Sequence, residues 1–211
     1  LSITNGNGQV VSGCTATMLA PNLVLTARHC VSATDDNGNV TRDYAATQLY
    51  VSVGVTAGAA QVPVVDGRGT RVFQNGTTNI NGNDFALIQL DRALPNAKIA
   101  PIRLDAPAVV GEAATAIGWG YTENGQTPNA RLQRSNLTVR TVGANNGSGM
   151  LDGELSIGEA ACSGDSGGPL LSAKGAVIGI TSRVGNGATP VAGTANFCMD
   201  GQGRTAIGIY G

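Results

Sequence analysis

The chain has 211 residues, of which 13% are charged and 42% hydrophobic, with 31 glycines and a net charge of −1. At about 100–200 residues per domain this length allows one large domain or two small lobes, and so few charges exclude charge-driven disorder. With 13 basic against 14 acidic side chains and no run of about 18 apolar residues, neither nucleic acid nor membrane is an expected partner.

No segment longer than about ten residues carries a 3.6-residue apolar period. Short β-type runs recur instead, at Thr15–Leu19, Leu23–Ala27, Leu49–Val55, Phe85–Leu90, Ala113–Ile117, Leu137–Val142, Ala176–Thr181 and Ala206–Tyr210. In Ser135–Val142 the apolar Leu137 and Val139 alternate with Asn136, Thr138 and Arg140, the period of a half-buried strand. Asn5-Gly6-Asn7-Gly8, Asp36-Asn37-Gly38, Asn75-Gly76 and Asn145-Asn146-Gly147 punctuate the runs, and Asn-Gly pairs supply the positive φ that tight hairpins need. Many short strands with such punctuation predict an all-β sandwich or barrel. Pro95, Pro101 and Pro107 crowd the stretch Asp91–Pro107, a poor central strand and a good connector, which divides the chain into nearly equal halves.

Cys14, Cys30, Cys162 and Cys198 form an even set without a C-x-x-C pair, which disfavours structural zinc. Two disulfides in an oxidising compartment fit, with three connectivities open from counting alone; four buried thiols are the other reading. The chain holds a single histidine, His29, so multi-His metal sites and HExxH hydrolases are ruled out. No cofactor or metal is expected.

Three local patterns matter together. A strand ends in Leu25-Thr26-Ala27-Arg28-His29-Cys30; an acid opens the apolar run Asp84-Phe85-Ala86-Leu87-Ile88; a serine sits in the glycine-rich Cys162-Ser163-Gly164-Asp165-Ser166-Gly167-Gly168-Pro169. A serine hydroxyl is a weak nucleophile and needs a base; neutral histidine serves near pH 7, and a carboxylate fixes its tautomer. Glycines let a sharp turn aim several N–H groups at one point.

With Gly118-Trp119-Gly120 added, these motifs resemble the chymotrypsin/trypsin family of serine proteases in the order His…Asp…Ser. The likeness runs from roughly Cys14 to Tyr210 and suggests a divergent, bacterial-type member. It implies two six-stranded antiparallel Greek-key β-barrels, one over residues 1–103 carrying His29 and Asp84, the other over 104–211 carrying Ser166, with the active site in the cleft between them. It further implies Ser166 as nucleophile, His29 as base and then acid, and Asp84 as the group orienting His29. Backbone N–H groups of Gly164 and Ser166 would form the oxyanion hole, and the disulfides would be Cys14–Cys30 and Cys162–Cys198. The expected protein is a secreted or periplasmic monomer acting on polypeptide substrates and subject to a protein inhibitor or propeptide. A zymogen-like or catalytically silent homologue serving as a binding module is the alternative.

In the same family the residue six before the nucleophile lies at the base of the specificity pocket, here Ala160, which carries no charge for Arg or Lys. The substrate-binding strand, Ser-Trp-Gly in most members, reads Ser182-Arg183-Val184, so Val184 narrows the entrance in the elastase-like manner, and Gly208 lies on the opposite wall. Small or medium aliphatic side chains before the cleaved bond are expected. Active members begin with an Ile-Val-Gly-Gly-like terminus whose amine pairs with the acid before the nucleophile, here Asp165. Leu1-Ser2-Ile3-Thr4 lacks that pattern and the chain stops at Gly211, which implies a mature form extending beyond both ends.

Overall fold

Alternation builds the strands. Along Ala86–Leu90, residues Ala86, Ile88 and Leu90 are fully buried while Leu87 and Gln89 are half-buried, as a strand with one face on a core requires. The structure, a computed structural model, describes residues 1–54, 66–122, 131–145, 149–185, 198 and 207–211. The strands are β1 Ser2–Thr4, β2 Val10–Gly13, β3 Thr17–Ala20, β4 Leu23–Thr26, β5 Ser32–Thr34, β6 Val40–Asp43, β7 Leu49–Val51, β8 Gly67–Phe73 and β9 Ala86–Leu90. They continue as β10 Ala113–Gly118, β11 Leu132–Thr138, β12 Thr141–Val142, β13 Leu155–Ile157, β14 Pro169–Ser172, β15 Val177–Gly185 and β16 Ile207–Tyr210. Among the described residues the helical segments are two single turns, Arg28–Cys30 and Ala46–Gln48.

Two curled antiparallel sheets result. The first has the order β2-β1-β7-β8-β9-β4-β3, the second β11-β10-β14-β15-β16-β13-β12, and β5-β6 form a separate hairpin. Each sheet counts seven strands where six are expected, for a physical reason. β2 and β3 are the two ends of one bent segment, Val10 to Ala20, and lie on opposite edges of the first sheet. The ladder breaks between them because Thr15 donates its N–H to Ser166 O of the other half, at 2.9 Å. β11 and β12 are likewise the two ends of the segment 132–142. Here the run expected as one strand breaks where Arg140 N donates to Ser156 O of β13. Leu137 and the buried Val139 still alternate with the exposed Asn136, Thr138 and Arg140.

Each sheet wraps its own core. Ile3, Val24, Leu49, Ile88 and Leu90 pack inside the first; Ala116, Leu155, Ile157, Leu170 and Tyr210 pack inside the second. A third cluster joins Leu25, Ala27 and Cys30 to Val177 and Ile180, so the sheets are pressed together where β4 delivers His29. Successive residues of β4 thus serve different layers, Val24 inward and Leu25 toward the other sheet. Residues 91–112 carry no named strand and cross between the halves through bridges from Ile99 to Met18 and from Ile102 to Val177.

Both disulfides are formed, Cys14–Cys30 with Cα atoms 6.2 Å apart and Cys162–Cys198 at 5.3 Å. The first ties the bent segment to the turn bearing His29 and closes a loop with a sequence separation of 16. Closing a loop of about 15 residues stabilises by about 3 kcal/mol. A Cys14→Ala/Cys30→Ala variant is therefore expected to lose about 2–4 kcal/mol in urea unfolding. A midpoint unchanged from the parent would mean that the hydrophobic layer around Cys30 holds the turn unaided.

Candidate active site

His29 lies in the turn Arg28–Cys30 immediately after β4. Cys30 N donates to Ala27 O at 3.1 Å and Val31 N to Arg28 O at 3.0 Å, closing the turn. The buried Arg28 anchors it from below, donating from Nε to Ser32 Oγ and from Nη2 to Asp43 Oδ1, both at 3.0 Å. β4 pairs with β9 so that Thr26 opposes Ala86, which brings Asp84, two residues ahead of β9's first residue, beside His29.

Asp84 is 2% exposed and receives three hydrogen bonds. His29 donates from Nδ1 to Oδ2 at 2.7 Å and from its backbone N to Oδ1 at 3.0 Å, while Ser182 of β15 donates from Oγ to Oδ2 at 2.6 Å. A carboxylate only accepts, so Nδ1 carries a proton, and in the neutral imidazole Nε2 keeps a free lone pair. Burial opposes ionisation of Asp84, but the bond and charge of His29 and the bond from Ser182 outweigh it and hold the carboxyl below its ordinary range.

The second half contributes the glycine-rich turn. Asp165 N donates to Cys162 O at 3.0 Å, Gly167 N to Thr181 O at 2.8 Å and Gly168 N to Asp165 O at 2.8 Å. Gly164 N and Ser166 N donate to no acceptor among the described residues. A turn that commits its alternate N–H groups and leaves these two free has the form of an anion-binding nest. Gly164 has φ +98° and Gly167 φ +77°, conformations that an L side chain rarely adopts.

Thr15 draws this turn onto the first sheet. Its N–H donates to Ser166 O at 2.9 Å and its Oγ1 to Gly164 O at 2.8 Å. The approach is close enough that a Cβ on Gly167 would lie 2.6 Å from Thr15 O and 2.7 Å from Ala27 N, and against Thr26 Oγ1. Ser166 therefore sits beside the strand end that carries His29. Among the described residues its Oγ is not hydrogen-bonded to His29, and such bonds are often long before substrate binds.

Asp165 points away from Ser166 into a cradle that the sequence motif Gly118-Trp119-Gly120 makes possible. Gly120 N donates to Oδ1 at 2.7 Å and Cys162 N to Oδ2 at 2.9 Å, and a Cβ on either Gly118 or Gly120 would collide with the carboxylate. Burial raises the Asp165 carboxyl above its ordinary range, and the two backbone donors offset that only in part. Leu1 lies elsewhere, its N donating to Cys14 O at 2.9 Å. Asp165 lines a cavity of about 340 Å³ with Gly118, Gly120, Glu159, Ala160 and Cys198. Ala160 thus opens on the Asp165 side. Val184 and Gly208 face each other across β15 and β16, and Val184 packs on Cys162–Cys198; these two and Ser182 do not line that cavity.

Sequence reasoning missed Thr15, Arg28 and the Asp84 bond from Ser182. A threonine following Cys14 gives no chemical signal of its own. The Asn145-Asn146-Gly147 turn lies in part outside the described residues, as do Val55 and Ala206 of the expected strands.

Two curled antiparallel sheets with a histidine–aspartate pair on one and a glycine-bounded serine on the other make up the chymotrypsin-like two-barrel fold. The chain belongs to the trypsin family, whose profile matches residues 1–198. It is 38% identical to granzyme M of Rattus norvegicus over 47% of this chain and 45% of that protein. It is 31% identical to beta-fibrinogenase brevinase of Gloydius blomhoffii over 82% of this chain and 75% of that protein. Among solved structures, neuropsin, a serine protease expressed in the limbic system of mouse brain, superposes with a TM-score of 0.62 at 19% identity, covering 99% of this chain and 86% of that one, which is a likeness of fold. The matched part is about half the length of granzyme M. No helix among the described residues is long and apolar enough to cross a membrane.

Gly167→Ala tests the close packing of the two halves. A Cβ against three fixed atoms at positive φ is expected to cost about 2–4 kcal/mol in urea unfolding. An unshifted midpoint would mean that the turn yields without loss.

Proposed function

We propose that this protein is a secreted serine endopeptidase in which Ser166 is the nucleophile, His29 the base and Asp84 the orienting acid. The observation that carries this reading is the buried Asp84 carboxylate, held between His29 Nδ1 at 2.7 Å and Ser182 Oγ at 2.6 Å. It fixes the one histidine of the chain with Nε2 available as an acceptor. Ser166 Oγ attacks the scissile carbonyl while its proton passes to Nε2. The N–H groups of Gly164 and Ser166 receive the developing oxyanion, and loss of one such donor commonly costs about 10²–10³ in rate. Collapse expels the amine, which takes the proton from His29, and leaves an acyl-Ser166. Water, deprotonated by the same Nε2, then attacks the ester and releases the acid.

The division of labour between residues 1–103 and 104–211 belongs to this proposal, as does the pocket. Ala160 offers no charge, and Val184, opposite Gly208, packs on the Cys162–Cys198 disulfide that walls the cavity beside Ala160, so small or medium aliphatic side chains are preferred before the cleaved bond. Two disulfides favour an oxidising, extracellular or periplasmic setting. A polypeptide is the substrate, and a protein inhibitor or propeptide would occupy the same cleft.

A zymogen-like resting form is the second reading. Asp165 is buried with two backbone donors and no cation among the described residues, and Ser166 Oγ is not hydrogen-bonded to His29. An ammonium entering the cavity beside Asp165 would complete the active form.

Labelling with a fluorophosphonate followed by peptide profiling tests both readings. Covalent modification at Ser166 is expected, and Ser166→Ala or His29→Ala should each abolish most hydrolysis while their combination adds little, because the residues act as a unit. A double variant far slower than either single one would point to another nucleophile or base. Slow labelling that accelerates on processing of the chain would favour the resting form.

The pocket has its own test. Peptides with Ala, Val or Leu before the cleaved bond should be cut faster than those with Arg or Lys, and Ala160→Asp should raise the relative turnover of basic substrates. A native preference for Arg would overturn this part and bring Glu159, on the wall of the Asp165 cavity, into consideration.

A further inference from the structure

Beside the Asp84 loop lies a second charged cluster that the proposed chemistry does not use. Glu154, just ahead of β13, is 2% exposed and accepts four hydrogen bonds. Arg183 donates from Nη1 to Oε1 at 2.5 Å and from Nη2 to Oε2 at 2.7 Å; Leu151 N donates to Oε2 at 2.8 Å and Gly82 N to Oε1 at 3.2 Å. Arg183 is 35% exposed along its side chain and also donates from Nη2 to Gly149 O at 2.9 Å.

The donors matter for where they come from. Gly82 belongs to the first half, two residues before Asp84, and Arg183 directly follows Ser182, whose hydroxyl holds Asp84. Other hydrogen bonds of the segment 79–83 run within the first half, for instance Ile80 N to Gly38 O at 2.9 Å and Asn79 Nδ2 to Asn39 Oδ1 at 2.9 Å. Among the described residues, the Gly82 bond to Glu154 is the one that carries this segment to the second half. Packing follows the same line, since a Cβ on Gly82 would lie 3.0 Å from Asp152 O.

A buried ion pair is a weak stabiliser but a strict geometric one, because removing one partner leaves a desolvated charge. Burial opposes ionisation of Glu154, and Arg183 with the backbone donors of Leu151 and Gly82 more than offsets it, holding the carboxyl below its ordinary range. We propose that Glu154 and Arg183 are a positioning pair that sets Asp84 relative to Ser182 by tying Gly82 of one half to β15 of the other. The inference rests on the reading of Asp84 as the acid that orients His29, and it adds two residues whose side chains act through the placement of Asp84 and touch no reacting atoms. Arg183, which stands where most relatives by motif carry an aromatic residue, is then explained by what it holds in place.

The test has two readouts. Because His29 is the only histidine, its Nδ1 proton in the bond to Asp84 gives a single downfield resonance in proton NMR. The second is the rate of fluorophosphonate labelling, which needs no extended substrate. Glu154→Gln, the apolar pair Glu154→Met/Arg183→Met and the remote control Arg103→Met are compared with the parent. A misplacement near 1 Å can cost about 10²-fold, so both cluster variants should lose or broaden the resonance and label about tenfold to a hundredfold more slowly. In peptide hydrolysis kcat should fall far more than KM, and the control should match the parent. The Met pair guards against a folding failure of Glu154→Gln, since apolar replacement of a buried ion pair is often neutral or stabilising. A Met pair with parental resonance and labelling rate would overturn the proposal. If the parent never labels, before or after processing of the chain, while its resonance still responds to Glu154→Gln, the positioning role stands and the assignment of Ser166 as nucleophile falls.

Discussion

Four hydrogen bonds converge on Thr15, and the arrangement of both halves depends on them. Its N–H and Oγ1 donate to Ser166 O and Gly164 O, Trp119 N donates to its Oγ1 at 3.0 Å, and Thr26 Oγ1 donates to its carbonyl at 3.0 Å. One residue thereby connects the strand that leads to His29, the turn that carries Ser166 and the glycine cradle of Asp165. It is buried beside Cys14, whose disulfide fixes it to the histidine turn. Buried polar groups of this kind are costly unless every one is paired, and here pairing forces the two sheets into a single relative position. The ladder break between β2 and β3 is the structural cost of that arrangement.

Close backbone approach is the second condition, and it explains why glycine stands where it does. Gly167 meets Thr15 and Ala27 with no room for a methyl group, and Gly118 with Gly120 leaves a slot filled by the Asp165 carboxylate. Gly167 is a steric requirement of packing one half against the other, and Gly118 and Gly120 are requirements of seating Asp165 within the second half. They also decide which N–H groups remain uncommitted, because a turn drawn onto Thr15 and Thr181 has its carbonyls and alternate donors already used.

Much of this was legible in the sequence because the candidate residues lie in short contiguous motifs. Short β-type runs marked β4, β9 and β10, the proline-rich stretch marked the connector, and His29, Asp84 and Ser166 stood out as the residue types that nucleophilic catalysis needs. The β8 run Gly67–Phe73 was not legible, since glycine and arginine dominate it and its neighbours in the sheet supply the burial. β14, absent from the expected runs, begins at Pro169, and the first position of a strand tolerates a proline. Thr15 and Glu154 act across the boundary between halves, on partners 149 and 72 positions away, and contacts so distant in sequence leave no periodic trace. Arg183 was visible only as a departure from the expected aromatic, and its partner is what gives the departure meaning.

The two buried carboxylates of the site titrate in opposite directions, and their environments explain both signs. Asp84 has a hydrogen-bonded imidazole and a hydroxyl, so its folded pKa is depressed; it contributes stability above its unfolded pKa that is lost as pH falls through the folded one. Asp165 has two amides against strong desolvation, so its folded pKa is raised; stability present while it is protonated is lost as pH rises through the folded value. Near neutrality the first carboxylate therefore supports the contact between the halves while the second works against the turn that bears Ser166. A cation reaching the cavity beside Asp165 would reverse the second sign without touching the first. Strengthening that carboxylate's bonds to Gly120 N and Cys162 N bears directly on Gly164 and Ser166, because Asp165 lies between them in the chain. The charge state of Asp165, which points away from Ser166, is in this way coupled to the uncommitted N–H groups of Gly164 and Ser166.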